Sequence, residues 1–169
     1  MFMVTAEPSG DAQTEAMSAM LFPMLFLIGM MASGKSKTAP KIAEMLNYKF
    51  IDVDNLIEKI AKKSINLIFK EDGENIFRDL ETQCLKEIIK VPSIVISTGG
   101  GVILKNENWG ILRQGIIVWL DINEEVALKR LKNQSGNRPL LEDKDLKKNY
   151  MRIFNSRKEL YSQADIRVN

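Results

Sequence analysis

Gly29, four residues, then Gly34, Lys35 and Ser36 form the pattern G-x-x-x-x-G-K-[ST]. Glycines at those two places let the backbone curl until several N–H groups point inward, where they would cradle phosphate oxygens. A helix beginning at once adds its positive end. Lys35 would set a point charge on the outer phosphates, and Ser36 would offer a hydroxyl to Mg²⁺. The whole loop, Gly29, Met30, Met31, Ala32, Ser33, Gly34, Lys35, Ser36 and Lys37, is therefore the candidate nucleotide site. The plainer alternative is a chance match in a strand-to-helix turn, which the flanking apolar run and amphipathic stretch oppose.

Two further stretches carry chemistry. "IDVD" puts Asp52 and Asp54 at alternate positions of what reads as a strand end, so both would point to one side. One acid would serve a metal and one a substrate hydroxyl; a solvated strand end or a helix N-cap is the alternative. "STGGG" places Gly99, Gly100 and Gly101 in a row after an apolar run. Each glycine costs about 0.5–1 kcal/mol relative to alanine inside regular structure. Close approach of a ligand to backbone N–H groups would justify three, and a plain loop is the alternative. Arg78, Arg138 and Arg157 read singly as solvated charges, although arginine is the usual bidentate partner of carboxylate and phosphate. Arg78 could pair with Glu81 at i, i+3.

These residues need elements to hold them. "MLFLI" (24–28), "YKFIDVD" (48–54), "SIVIST" (93–98), "IIVWLD" (116–121) and "DIRVN" (165–169) read as strands. Helical spacing is expected over 35–46 with Ala39, Ile42, Ala43 and Leu46 inward, and over 55–62, 65–70, 74–90, 124–132 and 146–161. Strands alternating with helices predict a three-layer α/β/α domain on a parallel sheet. Ligands of such sheets bind beyond the carboxyl ends of the strands, which brings the phosphate loop, the acids and the glycines to one crevice.

Bulk composition narrows the classes. The chain has 169 residues, 45% hydrophobic and 27% charged, which suits one compact domain with a core. Its net charge of +2 gives no reason to expect nucleic acid or a membrane surface as a partner. Glu7, Asp11 and Glu15 are the only charges before Lys35, so the body is the more positive part. There is no histidine, which removes Ser-His-Asp and Cys-His chemistry and the usual zinc sites. One cysteine, Cys84, on the inward face of a helical pattern, favours a reducing, cytoplasmic compartment and a core role. Ala16 to Ser33 is uncharged, but Pro23 interrupts it, glycine and serine enter it, and no basic residue precedes it. Residues 1–20 are expected to form a disordered tail and residues 21–169 the domain. No long apolar stripe calls for a partner subunit, so a monomer is expected.

The order of these marks resembles the shikimate kinase family. They are "GMMASGKS", "FIDVDNLIE", "SINLIF", "GENIFRDLE", "VISTGGGVI", "GIIVWLD", "NRPLL" and "RKELYSQAD", from about Leu25 to the end. The resemblance implies a nucleoside monophosphate kinase-like fold with five parallel strands in the order 2-3-1-4-5. It implies transfer of the ATP γ-phosphoryl group to the 3-hydroxyl of shikimate, with Mg²⁺. Asp54 would hold ring hydroxyls and act as base, and Asp52 would hold Mg²⁺ through water together with Ser36. Arg78 and Arg157 would clamp the carboxylate, with Glu81 orienting Arg78. Gly99, Gly100 and Gly101 would line the substrate site, and Phe69 and Phe77 would form its apolar wall. Arg138, in a mobile lid over about 133–145, would close on the phosphates. Arg130 is an adenine-side candidate. Family members continue beyond the last strand into a C-terminal helix, and the end at Asn169 leads to the expectation that this helix is missing. Rival readings keep the fold and change the acceptor to gluconate or a nucleoside monophosphate, or drop catalysis for a binding module.

Overall fold

The computed structural model describes residues 24–133 and 145–169. The expected tail over 1–20, and Arg138 with nearly all of the expected lid, lie outside the described residues.

Five strands, β1 (Leu25–Ile28), β2 (Lys49–Asp52), β3 (Ile94–Ser97), β4 (Ile116–Leu120) and β5 (Ile166–Val168), form one sheet in the order β2-β3-β1-β4-β5. Every pairing is parallel. Seven α-helices are present among the described residues: α1 (Lys35–Leu46), α2 (Val53–Ala61), α3 (Ile65–Glu71), α4 (Glu74–Ile88), α5 (Asn106–Leu112), α6 (Glu124–Lys132) and α7 (Leu146–Tyr161). A short 3₁₀ turn, Val102–Leu104, precedes α5.

The central strands are apolar on both faces because helices cover both. Phe26 and Ile28 of β1 join the larger core, with Ile96, Trp119 and apolar residues of α2, α4, α5, α6 and α7. Leu27 points the other way, into a smaller core with Val95, Val118, Ala39 and Ala43, where α1 packs. Ala39 and Ala43 are buried as expected, but Leu46 is 47% exposed. The twelve residues of α1 span about 18 Å, whereas a four-residue strand spans about 13 Å. The last turn of α1 therefore runs past the sheet and leaves Leu46 uncovered.

A second difference concerns the acids. β2 ends at Asp52 and α2 begins at Val53. Asp52 Oδ1 accepts the Asn55 N–H at 3.2 Å, so Asp52 caps the helix. Asp54 stands in the first helical turn rather than at an alternate strand position. The short polar side chain of Asp52 stabilises the switch from strand to helix, and extended pairing stops there.

The structure also adds two elements that the sequence did not suggest, the 3₁₀ turn and α5. Asn108 of α5 is fully buried and donates through Nδ2 to the Val102 carbonyl at 2.8 Å. Trp109 Nε1 donates to the Ile103 carbonyl at 2.9 Å. These bonds hold the segment that follows the glycine run.

Candidate active site

The strand register places the site. Leu27 and Asp52 both pair with Ser97, so β1, β2 and β3 end side by side. The phosphate-loop pattern follows β1, Asp52 closes β2 with Asp54 in the helical turn after it, and the glycine run follows β3 by one residue.

The phosphate loop is built as the glycine spacing predicts. Gly29 has φ of +141°, and a Cβ there would stand 2.6 Å from the Leu120 carbonyl oxygen. Gly34, at φ of +99°, is the N-cap of α1 and supplies no side-chain cap. The first N–H groups of α1 thus face the loop without a side chain of their own to satisfy them, the usual setting for an anion. Lys35 is only 7% exposed and folds over the loop. Its ammonium donates to the Gly29 carbonyl at 2.8 Å, the Met30 carbonyl at 2.9 Å and Ser33 Oγ at 3.3 Å. Arg130 of α6 donates to the Ala32 carbonyl at 3.0 Å, so a second cation rests against the loop from outside.

Two cavities meet here. One of about 200 Å³ is lined by Met31, Ala32, Gly34, Lys35, Ser36, Lys37, Asp54, Thr98 and Gly100. A larger one of about 350 Å³ is lined by Met31, Ser36, Asp52, Asp54, Phe69, Phe77, Arg78, Gly99, Gly100, Gly101 and Arg157, with Asn55, Glu58, Ile65 and Asn66. Met31, Ser36, Asp54 and Gly100 belong to both, so they form the passage between the phosphate cradle and the larger chamber. Gly29, Met30 and Ser33 line neither; they support the loop from beneath.

Two buried cations line the larger chamber. Arg78 and Arg157 are 7% and 6% exposed, which removes the reading of either as a solvated surface charge. Arg78 Nη1 donates to Glu81 Oε2 at 2.9 Å, and its Nε and Nη2 donate to Glu74 Oε1 at 3.2 and 3.0 Å. Burial alone would lower the Arg78 pKa, but Glu81 and then Glu74 outweigh it, and the net direction is upward. Glu81 is completely buried behind Arg78. Burial pushes its carboxyl up, Arg78 opposes that rise, and the Asp54 carboxylate adds to it. Removing one partner of such a buried pair typically costs about 3–5 kcal/mol, because the other charge is left alone. Phe69 and Phe77 pack with ring centroids 4.8 Å apart, and the Arg78 guanidinium lies 5.1 Å from the Phe77 ring.

The glycine run has a reason that the sequence did not reveal. A Cβ on Gly99 would stand 2.5 Å from Glu81 Oε1 and 2.8 Å from Asp54 Oδ1. A Cβ on Gly101 would overlap the Arg78 guanidinium. The absent side chains are the space in which these charged groups sit. Gly101→Ala is expected to dislodge Arg78 from its place between Glu74, Glu81 and the chamber. It should raise KM for the acceptor at least about tenfold, the loss of one charged hydrogen bond, and leave KM for nucleotide unchanged. Steady-state kinetics with each substrate varied in turn checks this.

Comparison with known proteins bears directly on this geometry. The sequence profile of the shikimate kinase family matches residues 31–169. The chain belongs to the shikimate kinase family. It is 51% identical over 144 residues to the shikimate kinase of Prochlorococcus marinus strain NATL2A, covering 85% of this chain and 73% of that one. With the shikimate kinase of Gloeobacter violaceus it shares 44% identity over 144 residues, 85% of this chain and 81% of that one. The fold superposes on the shikimate kinase from Acinetobacter baumannii in complex with shikimate with a TM-score of 0.84 and 33% identity, over 88% of this chain and 83% of the other. A deoxyadenosine kinase, at 15% identity and a TM-score of 0.50, shares the fold alone.

Within this shikimate kinase fold, Asn55, Glu58, Ile65, Asn66 and Thr98 line the two cavities without having been singled out in the sequence. Asn55 and Glu58 carried a usable signal. Once α2 is started at Val53, Glu58 lies four residues after Asp54 on the same helical face. Glu58 Oε1 also accepts the Ile65 N–H at 2.8 Å, which fixes the start of α3 and the wall behind Phe69.

Proposed function

We propose that this chain transfers the γ-phosphoryl group of ATP to the 3-hydroxyl of shikimate, giving shikimate 3-phosphate and ADP. The observation that carries the reading is the polarity of the larger chamber. Two buried arginines, a carboxylate shared with the phosphate-loop cavity and two aromatic rings line one chamber. A small carboxylate bearing ring hydroxyls matches that set. Arg78 and Arg157 take the carboxylate, Asp54 takes the hydroxyl, and Phe69 and Phe77 face the ring.

Phosphoryl transfer runs through a loose transition state, so positioning and charge neutralisation carry most of the catalysis. Lys35 and the N-terminus of α1 stabilise the phosphate charge. Asp54, common to both cavities, aligns the hydroxyl and receives its proton as the new O–P bond forms and the bond to the ADP oxygen breaks. Arg138 is assigned to the phosphates from outside the described residues. Ser36 and Asp52 fit Mg²⁺: both are hard oxygen donors lining one cavity, and Ser36 Oγ lies 3.5 Å from Ser97 Oγ at the strand ends. Mg²⁺ commonly binds one or two carboxylates plus substrate phosphates, and it supplies neutralisation of the β- and γ-oxygens. The protein is assigned to the cytoplasm as a monomer; its single cysteine, Cys84, is buried and unpaired by any disulfide, which fits a reducing compartment. Among the described residues no helix is long and apolar enough to cross a membrane.

A coupled ADP-release assay on this chain tests the reading. Release should require shikimate and should be absent with gluconate or with nucleoside monophosphates. Equal release with gluconate would transfer the assignment to a sugar-acid kinase. Nucleotide binding with no release on any acceptor would leave a binding module.

A further inference from the structure

Tyr161, the last residue of α7, is fully buried, yet it carries a hydroxyl. Its ring stacks on Trp119 with centroids 5.7 Å apart and planes inclined at 18°. A phenylalanine would fill that slot equally well, so packing alone does not account for the oxygen. The hydroxyl donates to the Gly100 carbonyl, and it lies 3.7 Å from Met30 Sδ in the phosphate loop. The same Gly100 carbonyl accepts a second bond, from Arg157 Nη1 at 3.2 Å. Arg157 and Tyr161 are four residues apart on α7 and so share a helical face.

Both lone pairs of one carbonyl are thereby committed. That has two geometric consequences. In a trans peptide the N–H points opposite to the carbonyl, so fixing the Gly100 oxygen on α7 turns the Gly101 N–H away from Tyr161. Gly101 lines the larger chamber. Meanwhile the guanidinium of Arg157 is anchored through Nη1 on that carbonyl and also donates to the Tyr161 hydroxyl itself, which sets the plane of the fork and hence the direction of its other N–H groups.

We propose that Tyr161 is a positioning residue for the acceptor: through the Gly100 carbonyl it fixes Arg157 and the Gly100–Gly101 peptide at the carboxylate-binding end of the chamber. This rests on the reading of that chamber as the shikimate site. Arg157 and the Gly100–Gly101 peptide serve the carboxylate rather than the transferred phosphoryl group, so their contacts are expected to be equal in ground and transition states. Loosening them raises KM without lowering kcat.

Tyr161→Phe removes the oxygen and keeps the stacked ring. It should raise KM for shikimate roughly five- to tenfold, the size of one lost hydrogen bond. KM for ATP and kcat should stay within about twofold, as uniform binding requires. Trp119→Phe is the packing control: it should lower Tm and leave both KM values in place. If Tyr161→Phe matches a shikimate-responsive wild type, or raises both KM values together, the inference is overturned. A wild type that releases no ADP with shikimate overturns the acceptor reading, and the inference falls with it. A measurement on the unmutated site covers the case in which Tyr161→Phe fails to fold. The chain has three tyrosines, so protein labelled with 3-fluorotyrosine gives a fluorine spectrum assignable from Tyr48→Phe and Tyr150→Phe. Shikimate alone should move the Tyr161 signal and leave that of Tyr48 unmoved; a stationary Tyr161 signal overturns the inference.

Discussion

Lys35→Ala is expected to abolish turnover, lowering kcat by about 10³-fold or more, beyond the loss of a single oxyanion-hole donor. Lys35 does two things that no neighbour duplicates. Its ammonium is the only side-chain cation of the phosphate loop held inside the fold, 7% exposed against the exposed Lys37. It also bonds two loop carbonyls and Ser33, so it neutralises the inward-facing oxygens of a loop that must present N–H groups to an anion. Alanine removes the charge that offsets the developing negative charge on the transferred group, and it frees Gly29 and Met30 to rearrange. The coupled assay measures the first effect. A thermal melt with and without nucleotide measures the second, since a preserved loop still gains stability from its ligand. Retention of more than about a hundredth of the turnover would mean that Arg130, outside the loop, or the α1 N-terminus carries most of the neutralisation.

Elements defined by long periodic runs were legible in the sequence. Helix α7 covers 146–161 as its spacing predicts, and Cys84 is a buried core residue. Local pattern was enough there, because burial of one face is a property of the element itself. The strand order is a different kind of information, since pairing of β2 with β3 and of β1 with β4 depends on contacts between distant segments. It was available only through the family resemblance. Asp54 shows where local reasoning failed. "YKFIDVD" alternates like a strand, but the Asp52 cap ends the strand two residues early and turns Asp54 into a helical residue. Both acids nevertheless line the larger cavity, because the cap and the first helical turn lie at the same strand end.

The arginines and glycines show the same limit. The spacing of Arg78 and Glu81 offered a pair but not its burial, and nothing in the residues around Arg157 distinguishes it from a surface charge. What satisfies them once buried is Glu81 with Glu74 in one case and the Gly100 carbonyl in the other. The glycine run looked like a surface made for a ligand, and it is also a surface made for Arg78, Glu81 and Asp54, whose charged ends occupy the places of its missing side chains. Tyr161 carried no legible signal at all, because a buried tyrosine differs from a buried phenylalanine only in what its oxygen reaches.

Asp54→Asn should lower kcat by about 10²–10⁴-fold, the usual contribution of a positioned general base. Asparagine keeps the volume of the side chain and can still hydrogen-bond a hydroxyl, so KM for shikimate should change far less than kcat. What it lacks is a site for the proton released as the hydroxyl oxygen attacks. The surroundings of Asp54 make this a separable test. It belongs to both cavities, but the bonds from Lys35 to Gly29, Met30 and Ser33, and from Arg130 to Ala32, hold the phosphate loop and remain when residue 54 is neutral. Nucleotide affinity, read by displacement of a fluorescent analogue, should therefore match the wild type. Replacement also removes a negative charge that pushes the Glu81 carboxyl upward, so the Arg78–Glu81 pair should be strengthened rather than lost and Tm should not fall. A variant with wild-type kcat would take Asp54 out of the proton transfer and leave it as a hydroxyl ligand. A variant with low kcat and weakened nucleotide binding would instead place its role in the phosphate cradle. The expected signature is the remaining combination, a low kcat with both substrates still bound, because only the chemical step needs the carboxylate charge.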